Sequence, residues 1–302
     1  MDDYSILKKT GFPTTYTIKE SQCIYIPPCR NLNIVLRGAG GGGAGALFDQ
    51  SGNIRYSGGG GGGGCGECIG LKFKTSYDPL FCKIRVGRGG KHGIGGNTNQ
   101  VTNGENGGDS KICISNTSDS GSVRTSDSGS VRKKYKAMGG GGGFIAINSQ
   151  TGGNGGKGGG GGGGGYFMGG IGGIYYDCGL NGVNGQKYDL NNGMLMKGGD
   201  GALNPNSGGA GTVISESGIH YLIGGGGGGA CVCGGKGGDC GPLPGGNGQD
   251  VGCGGGGGAG FNLHSVNGAD GGDGGHGLVT ITFNPIIFER TKRKCEKIKR
   301  RK

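Results

Sequence analysis

The chain has 302 residues, 87 of them glycine, and it carries a net charge of +11, 12 cysteines and no tryptophan. Glycine makes up about 29% of the residues where roughly 7% is usual, so the chain lacks the side chains for the large apolar core of an ordinary protein of this length. Low aliphatic content with high charge is typical of disorder. Against disorder, apolar strand patterns recur between the glycine runs, and the cysteines exceed what a linker needs.

Strand patterns begin after a short leader, residues 1–13. Residues 14–37 alternate apolar and polar positions in three runs separated by turns, one of them at Pro27-Pro28, and predict three strands. Further strands are predicted at residues 71–75, 81–86, 111–114, 144–147, 219–223 and 278–283. Residues 14–284 are thus predicted to form one glycine-rich domain. A basic tail, residues 285–302, is predicted to be a short helix or a segment that a partner orders.

The glycine segments between these strands carry a period of three. Residues 152–157 are GGNGGK, 234–239 are GGKGGD, and 268–276 are GADGGDGGH. A polyproline-II-type helix has three residues per turn and no internal hydrogen bonds, so every third residue lies along one edge. Two edges are then bare backbone, whose N–H and C=O groups must pair with neighbouring helices. The period predicts a bundle of extended glycine helices, with the GGX segments at a rim where X faces water.

Hydrogen bonds alone are not expected to hold such a bundle. Ordering a backbone costs about 1–2 kcal/mol per residue, most for glycine, whereas a net hydrogen bond returns roughly 0.5–1.5 kcal/mol. Flanking strands are expected to add apolar burial, and cross-links about 2–4 kcal/mol each. The predicted fold is therefore mostly β and irregular, with β-strands framing a bundle of polyglycine II-type helices and little α-helix except in the tail. Collagen is the rival, but its period is not sustained and only 8 prolines are present.

The cysteines of the glycine-rich domain are candidates for disulfide bonds, which would supply the missing stability. A reducing cytosol opposes disulfides, so buried thiols are the alternative. Zinc is a third possibility, at the CxxC of Cys65 and Cys68 and the CxC of Cys231 and Cys233, but these pairs lie about 160 residues apart where a zinc ribbon needs roughly 15–20. The disulfide candidates are Cys23, Cys29, Cys65, Cys68, Cys82, Cys113, Cys178, Cys231, Cys233, Cys240 and Cys253.

No catalytic constellation is found in the sequence, and the chain is predicted to be neither an enzyme nor a binder of a cofactor or metal. GxGxxG matches carry no information in so much glycine, and the Gly-Lys-Ser/Thr of a phosphate loop is missing. Asp270 and Asp273 lie three residues apart on one helix edge, where a solvated rim is the alternative to weak cation binding. The histidines are scattered, at His92, His220, His264 and His276.

Two polar segments stand apart from the glycine runs. Residues 118–132 contain SDSGSVR twice with a period of eight, which predicts an exposed loop over residues 116–134. Residues 289–302 hold nine Lys or Arg against two Glu. This tail is predicted to dock the chain on a protein or an anionic membrane, or to bind nucleic acid; a solubilising tail or nuclear-import signal is the plain alternative. Its cations are Lys292, Arg293, Lys294, Lys297, Lys299, Arg300, Arg301 and Lys302.

Three motifs resemble those of a known glycine-rich domain family. TYTI, CIYIP, a turn and LNIVLRGAGGGGAG, within residues 15–45, resemble the opening of that domain. FCKIRVGRGG, residues 81–90, resembles its second marker, and GHGLVTITF, residues 275–283, resembles its closing strand. Similar domains occur in phage tail-fibre adhesins, in the ectodomain of the anaplastic lymphoma kinase receptor group and in virion proteins of large DNA viruses. The resemblance implies glycine helices packed in a lattice against β-strands.

Among these relatives a virion protein of a large DNA virus fits best. A receptor ectodomain needs a signal peptide, and the start MDDYSILKK has no apolar core. Phage adhesins are not usually cysteine-rich, whereas large DNA viruses carry thiol oxidases. The resemblance implies a non-catalytic structural component of a virus particle, such as a minor capsid, cement or fibre protein, made in the host cytoplasm. Other capsid or virion proteins are its expected partners, with a homo-oligomer as a further expectation. An adhesin that binds a host receptor or glycan is the alternative.

Overall fold

A computed structural model describes residues 5–6, 13–49, 54–115, 133–148, 150–174, 181–189, 196–202, 208–216, 219–230, 234–238, 244–249, 251–259 and 268–286. These residues contain strands and no helix. In chain order the strands are β1 (Ser5–Ile6), β2 (Thr14–Ile18), β3 (Gln22–Ile26), β4 (Cys29–Arg37), β5 (Leu47–Phe48), β6 (Ile54–Gly58), β7 (Cys68–Ser76), β8 (Leu80–Arg85), β9 (Ser110–Ser115), β10 (Lys133–Ala137), β11 (Thr212–Glu216), β12 (Ile219–Ile223) and β13 (Leu278–Pro285).

Two of the three sheets share one hydrophobic core and form a sandwich. The first sheet has the order β2-β13-β4-β7 and is antiparallel throughout. The second has the order β1-β3-β8-β9-β10, with only β1 and β3 parallel. Their strands alternate buried and exposed positions because one face of each sheet packs inward. The core holds Ile34, Leu36, Val279, Ile281 and Phe283 from the first sheet, and Ile24, Ile26, Cys82, Ile84 and Ile112 from the second.

The third sheet is smaller and lies away from the sandwich core. Its order is β11-β12-β6-β5, and β12 and β6 are parallel. Phe48 and Ile223 form its buried hydrophobic cluster, with Tyr221 packed against them. We call it the cap sheet.

Glycine segments connect the sandwich to the cap sheet. Residues 38–46 leave β4 and end at β5, and residues 59–67 return from β6 to β7 in the opposite direction. These two segments hydrogen-bond to each other through Gly38 to Glu67, Gly41 to Gly64 and Ala44 to Gly61. We call the whole set of such segments the glycine lattice: residues 38–46, 59–67, 87–96, 102–109, 138–144, 152–165, 168–174, 181–187, 196–202, 208–211, 224–230, 234–238, 244–248, 252–259 and 268–277.

Backbone hydrogen bonds in the lattice recur every three residues. In segment 38–46 the N–H groups donate in turn to three neighbours, namely residues 61–67, 102–108 and 269–275. Its carbonyls accept in turn from three others, residues 90–96, 140–143 and 255–258. The segment is therefore surrounded by six neighbours, of which the three acceptors run antiparallel and the three donors run parallel. The N···O distances of its own N–H bonds to the first three are 2.8–3.2 Å.

The close approach of these segments explains the glycine content. A Cβ built on Gly41 or Gly62 would lie far inside the 3.0 Å below which real Cβ atoms essentially never approach another atom, against the backbones of Gly141 and Gly228. The chain also reverses between segments 152–157 and 160–165, where Gly158 and Gly159 have φ angles of +102° and +88°. Only glycine adopts such angles readily. Glycine thus serves here both for backbone packing and for the turn.

The sequence-predicted strands compare closely with the structure, with one error. The strands predicted within residues 14–37 and at 71–75, 81–86, 111–114, 219–223 and 278–283 are confirmed as β2–β4, β7, β8, β9, β12 and β13, with ends shifted by a few residues. The strand predicted at 144–147 is wrong: Phe144 donates to the Asn154 carbonyl and Ile145 to the Asn103 side chain. Bonds to two different neighbours form no ladder with one partner strand.

Two predicted boundaries also change. The leader contributes β1, which pairs with β3. β10 begins at Lys133, so it takes in the last two residues of the predicted exposed loop 116–134. The repeats at 116–132 lie outside the described residues, and so does the tail from residue 287. The described part of residues 285–302 is Pro285, at the end of β13, and Ile286, which donates to the Pro28 carbonyl over 2.9 Å.

Candidate functional site

The rim predicted from the GGX period is confirmed by burial. Asn154 and Lys157 are exposed, whereas the glycines beside them at 152–153 and 155–156 are buried. In the last GGX segment Asp270 and His276 are exposed and Asp273 is half-buried. The side chains that give the lattice its chemistry therefore lie at its surface, on edges fixed by the backbone beneath.

Rim side chains also complete the hydrogen bonds of the lattice edge. Asn103, Asn106 and Asp109 accept the N–H groups of residues 145, 142 and 139 at 2.8, 2.8 and 3.2 Å. Asp270, Asp273 and His276 accept those of residues 95, 92 and 89 at 2.7, 2.8 and 3.0 Å. Each set forms a ladder at three-residue spacing along an antiparallel neighbour. The X positions therefore cap N–H groups at the lattice edge as well as facing solvent, a role the sequence alone did not predict.

One of these ladders borders a polar cavity of about 620 Å³. Its lining includes His92, Lys236, Asn247, Asp270 and Asp273. The His92 Nδ1 lies 2.7 Å from an Asp273 carboxylate oxygen that also accepts the His92 backbone N–H. Partial burial raises the pKa of Asp273, but the hydrogen bonds from His92 and the charges of His92 and Lys91 outweigh it and hold this pKa below the ordinary value of 3.8. Asp273 is thus an ionised, anchored group at the edge of the cavity.

The histidines singled out in the sequence do not converge. His92 pairs with Asp273, His276 accepts the Gly89 N–H, and His220 lies 2.7 Å from the Ser215 hydroxyl on the adjacent strand. His264 lies outside the described residues. In the described ranges no group of three or more His, Cys, Asp or Glu side chains is placed to hold a metal ion.

A second feature of the rim is apolar. Residues 168–174 repeat the GGX pattern with Met168, Ile171 and Ile174 at X, and these side chains are 57%, 62% and 69% exposed. Their carbonyls accept from Gly152, Gly155 and Gly158 at 2.9, 2.8 and 2.7 Å, so the backbone holds this edge in place. Successive hydrogen-bonded segments add more exposed side chains. We call the set the apolar rim: Phe144, Ile147, Phe167, Met168, Ile171, Ile174 and Val183.

The cysteines are divided between the sandwich and the lattice. Six of the disulfide candidates are free thiols: Cys23, Cys29, Cys68, Cys82, Cys113 and Cys253. Cys65 is buried and is not among these free thiols. Cys178, Cys231, Cys233 and Cys240 lie outside the described residues.

Two of the free thiols belong to the sandwich core. Burial raises the pKa of Cys29 to about 11. Burial, and to a lesser extent the nearby Cys113 and Cys29 thiols, raise the pKa of Cys82 to about 12. The thiolate is the reactive form, so these two side chains act as small apolar core residues.

The tail cations from Lys292 to Lys302 lie outside the described residues, so the sequence-predicted docking site has no structural counterpart here. Of the part that is described, no helix has the length and apolarity needed to cross a membrane. No protein-family model matches the chain, and no curated protein matches it either.

Proposed function

We propose that this chain is a non-catalytic structural component of a virus particle, such as a minor capsid, cement or fibre protein. In this proposal the glycine segments are polyglycine II-type helices, and the apolar rim is the surface that contacts neighbouring virion proteins. A homo-oligomer is one form that this contact can take. The basic tail adds a second attachment to a protein, an anionic membrane or nucleic acid.

The repeat of the hydrogen bonds supports the helical part of the proposal. A helix with three residues per turn directs successive N–H groups to three different sides, which is how residues 38–46 donate to their neighbours. Residues 59–67 follow the same rule and donate in turn to 158–164, 252–258 and 138–144. A body held by such a network is suited to bearing load rather than to changing shape.

The apolar rim is the single observation that carries the assembly role. Exposed large apolar side chains gathered on neighbouring segments are typical of a protein–protein contact. Ile147 is 83% exposed, and Phe167 is 63% exposed. Since backbone hydrogen bonds hold Met168, Ile171 and Ile174 in a row, this part of the rim is preorganised, and little conformational entropy is lost when a partner covers it.

Disulfide bonds remain part of the proposal for Cys65, which is not among the free thiols, and for the candidates outside the described residues, namely Cys178, Cys231, Cys233 and Cys240. A disulfide bond between two lattice segments would add about 2–4 kcal/mol to the unfolding free energy. It would do so in the region where hydrogen bonds contribute least to stability. A particle with its own oxidising route is the setting in which such bonds form.

The experiment is mass spectrometry of purified particles, run without reduction after alkylation of free thiols. The proposal predicts this protein at a fixed copy number, with Cys29 and Cys82 alkylated only after unfolding. The double variant Ile171→Asp/Ile174→Asp is expected to lower incorporation at least about tenfold, because two carboxylates would be buried without partners in the contact.

The matched control is Tyr77→Asp, an equally exposed side chain in the loop between β7 and β8 and outside the rim, at 71%. It is expected to leave incorporation unchanged. Recovery of the protein only from soluble cell extract, or equal incorporation of the double variant and the control, would contradict the proposal.

The adhesin-like alternative rests on the polar cavity beside His92. Its lining of a carboxylate pair, an amide and a lysine is suited to hydrogen bonding with a glycan. It requires glycan binding that is lost in Asn247→Ala and kept in Ile171→Asp/Ile174→Asp.

A further inference from the structure

The outer face of the second sandwich sheet is strongly basic. Lys83 and Arg85 on β8, Lys111 on β9, and Lys134 and Lys136 on β10 all alternate with residues that point into the core. They therefore share the face turned away from the core. The same residues line a groove of about 680 Å³. We call these five residues the basic face.

Strand register arranges the five cations in two rows. Arg85 lies opposite Lys111, which lies opposite Lys136. In the next row Lys83 and Lys134 flank Cys113. Neighbouring strands are about 4.8 Å apart, and alternate residues along a strand are about 6.8 Å apart. Like charges placed directly opposite each other destabilise a sheet, so this arrangement lowers the stability of the sheet rather than raising it.

The basic face is only partly neutralised. Asp109 lies 3.4 Å from the Lys111 ammonium and 3.6 Å from that of Lys136. Both lysines remain about half exposed, at 46% and 50%. Among the described residues no ion pair is formed by Lys83, Arg85 or Lys134. Five cations with one carboxylate leave a local excess of positive charge for an anionic partner.

The chemistry of the face discriminates between anionic partners. No side chain of β3, β8, β9 or β10 is among the large hydrophobic residues exposed in the described ranges. Tyr25 and Phe81 share this face, but they are half-buried against each other with ring centroids 5.3 Å apart. A folded protein partner or a membrane would therefore find no protruding apolar side chain on these strands. A groove lined by closely spaced cations requires only a chain of regularly spaced anions. The phosphodiester backbone of a nucleic acid has that form.

We infer that the basic face is a sequence-independent binding site for the phosphate backbone of nucleic acid. It is distinct from the tail, and it does not depend on the virion setting. Lys83, Arg85 and Lys134 are its free cations. Lys111 and Lys136 share Asp109 and contact phosphate at the end of the groove nearer the lattice.

The test compares two triple variants of the full chain by binding to a fluorescein-labelled oligothymidylate. The first is Lys83→Gln/Arg85→Gln/Lys134→Gln, which removes cations that have no ion-pair partner and so should not destabilise the fold. The second is Arg30→Gln/Lys72→Gln/Lys74→Gln, which removes three exposed cations from the other sandwich sheet. Both keep the tail, so their difference reports the basic face.

Each phosphate contact contributes about −0.7 to the slope of log affinity against log salt for a single strand. The first variant is therefore expected to lower the magnitude of the slope by about 2 and the affinity on the order of 100-fold at roughly 0.1 M salt. The second is expected to bind like the unaltered chain. Thermal unfolding of both variants checks that their folds are intact.

Equal affinity and equal salt slope for the two variants would overturn the inference and leave the tail as the source of any binding. Vesicles of phosphatidylserine and phosphatidylcholine, and polyglutamate, serve as the competing polyanions. Binding of either that depends on Lys83, Arg85 and Lys134 more strongly than oligothymidylate binding does would also overturn it. A loss confined to oligothymidylate and the first variant supports it.

Discussion

Side chains fill the sandwich, whereas backbone fills the glycine lattice. Ile34, Ile281 and Phe283 are fully buried between two sheets and exclude water by their volume. Gly41 and Gly62 are equally buried, yet they exclude water because neighbouring backbones approach them directly. The first region depends on the hydrophobic effect, which has no direction, and the second on hydrogen bonds, which do.

The two regions should therefore respond differently to substitution. A sandwich core adjusts to a change of volume by shifting rotamers. In the lattice the obstacle is main chain, and a segment with six hydrogen-bonded neighbours cannot move without opening bonds to several of them. The buried alanines Ala39, Ala44 and Ala46 mark the few positions in segment 38–46 where a methyl group is accommodated. Position along the segment, not hydrophobicity, decides what is tolerated.

The largest effect is expected in the sandwich. Phe283 is fully buried and stacks on Tyr16 with ring centroids 6.0 Å apart. Phe283→Ala should lower the unfolding free energy by about 3–5 kcal/mol, because it removes a large buried side chain and leaves a cavity. Chemical denaturation measures this change. Phe283→Leu, which keeps much of the volume, should recover at least half of the loss, and an equal loss in both variants would argue against a packed core at this position.

A smaller loss of stability is expected in the lattice, where the substitution adds a side chain instead of removing one. Gly62→Ala adds only a methyl group, but that group meets the Gly228 backbone, and Gly62 also bonds to Gly161 and Gly156 at 2.9 and 2.8 Å. Overpacking and strained hydrogen bonds should together cost about 2–3 kcal/mol. Gly70→Ala is the matched control, because Gly70 lies in β7 with nothing within 4 Å of its added Cβ.

The control should change stability in the other direction. Alanine in a strand interior is favoured over glycine by roughly 0.5–1 kcal/mol, so Gly70→Ala should raise the unfolding midpoint in the same denaturation series. If both variants lost stability equally, close backbone packing would not be the reason for the glycine at position 62.

The sequence predicted the sandwich strands well because their signal is local. Alternation in β3, β4, β8 and β13 reports directly which residues face the core. The missed strands lack that signal: β5 has two residues, and β10 is KKYKA, with lysines at three of its five positions. β6 contains serine and glycine, and its partners are the two-residue β5 and the distant β12. Their existence depends on partners that alternation within one segment cannot identify.

The period of three predicted the exposed X positions of the rim, but the apolar X positions and the caps were not predicted. The exposed X positions followed from GGN, GGK and GAD repeats. The apolar rim carries the same signal, since residues 168–174 are MGGIGGI, and it was available in the sequence. The caps were not available, because which N–H lies beside Asn106 or Asp273 depends on which distant segment becomes the neighbour. The basic face likewise required the register of β8, β9 and β10.

The smallest expected effect tests whether the rim contributes to the stability of the lattice. Asp273 has a pKa held below its ordinary value of 3.8, so its contribution to stability is present above that pH and is lost as the pH falls through the lower folded-state pKa. Asp273 and His92 are half exposed, at 50% and 42%, so solvent screening limits the contribution to the roughly 0.2–1 kcal/mol typical of exposed pairs. Asp273→Asn should therefore lower stability near neutral pH, and its difference from the unaltered chain should vanish once the pH is below the folded-state pKa of Asp273. Denaturation at several pH values measures the difference.

The control Asp270→Asn removes the other rim carboxylate, which accepts the Gly95 N–H, and should retain the acid-dependent loss that Asp273 causes. If stability varied with pH in the same way for Asp273→Asn and the unaltered chain, the lattice edge would be stable without its charged cap. The sandwich is held together without any such cap.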